Sequence, residues 1–73
     1  MKGFVLVSTK TGKEIDVADR IRSKVPGAAV DVVYGVYDIV VTVTGDTNDK
    51  MNAVAFQIRN IKDVRSALTL VQI

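Results

Sequence analysis

Apolar and polar positions change period several times along the chain, and each change predicts an element. "GFVLVST", from Gly3 to Thr9, is a short apolar run rich in β-branched residues and reads as a buried strand. Thr11 and Glu14 have capping-box spacing, in which each side chain satisfies a backbone N–H that a helix start leaves unpaired. Ile15, Ala18, Ile21 and Val25 then fall on one face at helical spacing, with Asp16 and Arg20 one turn apart on another side. Pro26-Gly27 stops this helix, because the residue before a proline is pushed out of the helical region. "AAVDVVY" up to Gly35 predicts a second strand and "VYDIVVTVT" a third. Gly35 supplies a positive φ between them, so a tight antiparallel hairpin is expected. "GDTNDK" carries turn residues, with Asp46 as an N-cap candidate and Asp49 in the following first turn. Met51, Val54, Ile58 and Ile61 recur at helical steps, and "VRSALTLVQI" reads as the last strand.

Strand-helix-strand repeated twice is the split βαβ plan, so residues 1–73 are expected to form a single α+β, ferredoxin-like βαββαβ domain. Right-handed crossovers put two helices on one face of a four-stranded antiparallel sheet, with the first and third strands central.

That arrangement leaves the other face bare. In the third strand Ile39, Val41 and Val43 point one way while Val40, Thr42 and Thr44 point the other. The last strand is read with Val64, Leu68 and Leu70 on one side and Ala67, Val71 and Ile73 on the other. A half-solvated sheet alternates apolar with strongly polar residues, and this one does not. Four strands of about five residues present roughly 300 Å² of projected face. A face-to-face homodimer, closing a dimeric α/β barrel, is the expected cover.

Composition narrows the chemistry. At 73 residues the core is thin. Cysteine is absent, which excludes a disulfide scaffold and thiolate metal sites. Histidine is absent as well, removing the commonest general base and transition-metal ligand, so no metal or cofactor is expected. The net charge of +2 comes from ten basic and eight acidic residues scattered without a run. Direct nucleic-acid binding normally needs a concentrated basic stripe. No apolar stretch approaches the roughly 20 residues that span a bilayer, and Met1-Lys2-Gly3-Phe4 leads into a strand pattern. A soluble, cytoplasmic protein without membrane contact is expected.

"KVPGAAVDVVYGVYDIVVTV" and "IKDVRSALTLVQI" together resemble the RAM domain, the effector-binding regulatory half of Lrp/AsnC-type transcription regulators. Pro26-Gly27, Gly35-Val36-Tyr37-Asp38 and Val64 to Thr69 fall where that pattern places them, and the resemblance covers essentially the whole chain. Ala67 departs from it, standing where the family often has the first of two threonines; Thr69 keeps the second. No helix-turn-helix is expected before the first strand. The resemblance implies a small-molecule sensor, typically for an amino acid, that dimerises through its sheets and assembles into rings of dimers; co-assembly with full-length regulators that share its interface is a further expectation. Its ligand-contacting positions carry over as Gly35, Tyr37, Asp38 and Thr69, with Ser66 as a neighbour.

Each of these residues also has an ordinary use. Asp38 either binds a ligand ammonium or hydrogen-bonds the turn backbone. Tyr37 either stacks on a ligand or packs at a dimer edge, and Thr69 suits any strand. Gly35 serves the turn whatever binds there. Arg20, Arg22 and Lys24 read as a solvated helix face, and Arg65 shares a parity with Ala67 and Thr69. The expected function is a non-enzymatic effector-binding and oligomerisation module involved in transcription regulation. The alternative is a small dimeric α/β-barrel enzyme relying on Asp38 or a tyrosine. An RNA-binding fold of the same topology is rejected, because the first strand offers only Phe4 among aliphatics.

Overall fold

The computed structural model describes residues 2–45 and 48–73; the Asp46 cap expectation lies outside them. The elements are β1 (Lys2–Thr9), α1 (Glu14–Lys24), β2 (Ala29–Val32), β3 (Ile39–Thr44), α2 (Asn48–Arg59) and β4 (Val64–Val71). The strands form one antiparallel sheet in the order β2-β3-β1-β4, the ferredoxin-like plan with β1 and β3 central.

Register assigns every side chain a face. Val5 and Val7 of β1 stand opposite Val41 and Ile39 of β3, and all four are fully buried. They join Val17, Ala18 and Ile21 of α1 and Met51, Val54 and Ile58 of α2 in one cluster, so both helices cover the same side of the sheet. Gly3 lies on that side under Met51. A Cβ on Gly3 would collide with the Met51 side chain, so the absent side chain leaves room for that thioether between α2 and β1.

Several local expectations are corrected. α1 starts at Glu14 behind Lys13, and Thr11 does not cap it; Glu14 instead reaches back to the Gly12 N–H at 2.9 Å. Ile15 is 62% exposed and Val17 takes the inward place, because the helix is phased by Val17, Ala18 and Ile21. α1 does end before the proline: Val25 is extended and its N–H closes the last turn on the Ile21 carbonyl at 2.8 Å. α2 ends at Arg59, so Ile61 is buried from beyond the helix. β2 spans four residues, and the connection to β3 is longer than a tight turn, running from Val33 to Asp38 with Gly35 at φ +123°. Arg22 is more than a solvated residue, because its guanidinium bonds Asp19 and the Val30 carbonyl.

β4 departs from simple alternation. Its register with β1 shifts between Ser8 and Thr9, where Thr9 meets Val64 instead of Arg65. The bulge turns Val64 to the helix side with Ala67, both packed on the core, and separates Val64 from Leu68 and Leu70. The face away from the helices therefore carries Phe4 and Leu6 of β1, Val40 and Thr42 of β3, and Leu68 and Leu70 of β4. Leu68 and Leu70 are each 46% exposed, although they stand opposite Leu6 and Phe4.

Candidate functional site

The β2–β3 hairpin places Gly35, Tyr37 and Asp38 together at one end of the sheet. Its base is closed by the Val33 N–H donating to the Asp38 carbonyl at 2.8 Å, while the Asp38 N–H reaches the Val7 carbonyl at 2.9 Å. Continuing the β1–β3 register would place Thr9 opposite Tyr37. Instead the Asp38 carboxylate accepts from the Thr9 N–H at 2.8 Å and from the Thr9 hydroxyl at 3.4 Å. One side chain thus replaces the missing rung, satisfies the buried Thr9 and frees residues 34–37 to leave the sheet. Asp38 is a turn residue in this sense, though its anchor lies 29 positions away in the chain.

The released tip is apolar and wet. Tyr34 and Val36 are almost wholly exposed, Gly35 is exposed, and Tyr37 is half-buried. Ser66 lies at the same end, opposite Ser8 on the open face of β4. Thr69 does not join this group. It stands opposite Val5, three residues or about 10 Å farther along β4, and on the helix side. Within one chain, therefore, the hairpin residues and Ser66 share an end of the sheet, while Thr69 faces away from them.

A cleft of about 520 Å³ lies at the opposite end, between the start of α2 and the end of β4. Asn48, Met51, Asn52, Val71, Gln72 and Ile73 line it. None of these was selected as a site residue from the sequence. The available signal was the four-residue spacing of Asn48 and Asn52 on one helix face, which is too common a pattern to mark a cleft. Among the described residues no group of three or more His, Cys, Asp or Glu is placed to hold a metal ion, and no helix is long and apolar enough to cross a membrane.

The whole described fold is similar to solved structures. Hypothetical protein PHS023 from Pyrococcus horikoshii matches with TM-score 0.81 and 30% identity over 99% of this chain and 88% of that one. FFRP-DM1, an Lrp-family regulatory domain, matches with TM-score 0.83 and 30% identity over 99% and 97%. TTHA0845 from Thermus thermophilus matches with TM-score 0.87 and 26% identity over 99% and 91%. No protein-family model matches the chain, and no curated protein matches it significantly.

Proposed function

The chain belongs to the family of RAM domains, the effector-binding part of Lrp/AsnC-type regulators, and we propose that it is a non-enzymatic small-molecule sensor that self-associates through its open sheet face. The observation that carries this reading is the hairpin held by Asp38. Its tip, residues 34–37, has left the sheet ladder, which leaves backbone N–H groups there to receive a carboxylate. A carboxylate has about four acceptor positions, so Asp38 can hold Thr9 and also meet an ammonium group. Together these suit a free amino acid. Tyr37 supplies an apolar wall, and Ser66 a hydroxyl at the same end of the sheet.

Engagement with Thr9 argues against Asp38 as a free-standing general base, which disfavours the enzyme alternative. A second copy stacked on Phe4, Leu6, Val40, Leu68 and Leu70 would bury the exposed leucines and complete the surroundings of the hairpin. Thr69, facing the helices, takes part only if another copy approaches that side. The route to transcription is co-assembly with Lrp/AsnC-type regulators that present the same sheet face.

Thermal unfolding with a panel of the twenty amino acids at millimolar concentration tests the sensor. A ligand at about 100 times its Kd stabilises the native state by about 2.7 kcal/mol, a shift of several degrees for a domain this small. At least one amino acid is expected to raise Tm, and Tyr37→Ala to reduce that shift. A flat panel overturns the sensor reading.

A further inference from the structure

Arg22 and Arg59 hold matching places in the two halves of the chain. Each lies in the last turn of its helix, and each guanidinium donates to a backbone carbonyl eight residues ahead. Arg22 Nη2 meets the Val30 carbonyl on β2 at 2.9 Å, and Arg59 Nη2 meets the Ala67 carbonyl on β4 at 3.1 Å. β2 and β4 are the two edges of the sheet.

Ladder alternation decides where those carbonyls point. Val33 bonds Asp38 across the β2–β3 pair, so at every second residue back, Asp31 and Ala29 turn their groups to β3, and Val30 turns outward. Likewise the Gln72 N–H donates to the Lys2 carbonyl at 2.8 Å, so Leu70 and Leu68 turn to β1 and Ala67 turns outward. Both arginines therefore cover an acceptor that the sheet leaves unpaired on an open edge.

Such outward groups are a template for another strand, and proteins restrict them with short edges, bulges and charged side chains. All three devices occur here. β2 has four residues and Arg22, which the Asp19 carboxylate also holds at 3.0 Å; β4 has the bulge at its start and Arg59 near its middle. A strand arriving on either edge must displace a planar, multiply donating cation. Among the described residues nothing comparable covers Leu68 and Leu70 on the open face, which stay half exposed.

We infer that Arg22 and Arg59 select the interface: they close both sheet edges to strand addition by further copies and so direct self-association to the open face. The directing half of this inference rests on the face-stacked assembly proposed above; the closing of the edges does not. Light scattering after size exclusion, with circular dichroism to confirm folding, compares wild type, Arg22→Ala/Arg59→Ala, Leu68→Lys and the triple variant. The edge variant is expected to form open-ended species whose mean mass rises about twofold or more over an about tenfold concentration range, as non-closing contacts do. That growth is expected to persist in the triple variant, because edge pairing does not use Leu68. Arg59→Gln alone keeps helix propensity and tests β4 separately if the double variant does not fold. Folded edge variants whose mass matches wild type at every concentration overturn the inference. A wild type that stays a single chain while the edge variant grows overturns the face-stacked assembly and leaves the edge guards supported.

Discussion

Asp38 is the most connected side chain of the hairpin, and its removal has a calculable consequence. Asp38→Ala leaves the buried Thr9 N–H and hydroxyl without their acceptor, a loss of about 1–3 kcal/mol. A chain of this length has roughly 4–11 kcal/mol in all, so urea unfolding should show a clearly lower midpoint. An unchanged midpoint would mean that the Thr9 contact contributes nothing. Gly3 and Met51 form a second residue-scale test. Gly3→Ala should push the Met51 side chain aside and cost about 1 kcal/mol, because the thioether end is flexible. The same change made in Met51→Ala should cost measurably less, since the clash has gone; equal costs in the two backgrounds would contradict the contact.

At the scale of elements, the phase of α1 can be tested by placing one charge on either side of it. Ile15→Lys should change stability by no more than about 0.5 kcal/mol, whereas Val17→Lys buries an ammonium and should cost about 3 kcal/mol or more. Chemical denaturation of both variants distinguishes this phase from one in which Ile15 faces the core. Sequence periodicity supplied element order because β-branched runs, the Pro26 stop and the α2 stripe are local signals. It misphased α1 because Ile15 and Val17 are both apolar and only the packed sheet chooses between them. The β4 bulge was illegible for a similar reason: Val64 and Arg65 compete for one place opposite Thr9, and that competition is settled across the ladder. In the site, Gly35, Tyr37 and Asp38 were legible together because they are adjacent in sequence. The Asp38–Thr9 anchor spans 29 positions, and which of the two sides of β4 meets the helices is decided by packing, so neither the anchor nor the helix-side place of Thr69 could be read from spacing.

For the whole molecule, the helices and one sheet face enclose the core, while Leu68 and Leu70 remain half exposed on the other. Covering an apolar face is favourable by about 25 cal/mol per Å², against association costs of about 4–15 kcal/mol, so the balance depends on how well two faces fit. Leu68→Lys places a charge in that face without touching the core, and it should weaken association while leaving circular dichroism unchanged. Sedimentation equilibrium of wild type beside Leu68→Lys at micromolar concentration decides whether the open sheet face is covered by a second copy. Wild type is expected at a multiple of the 7.9 kDa chain and the variant shifted towards 7.9 kDa. A folded wild type at 7.9 kDa across the range would contradict that expectation.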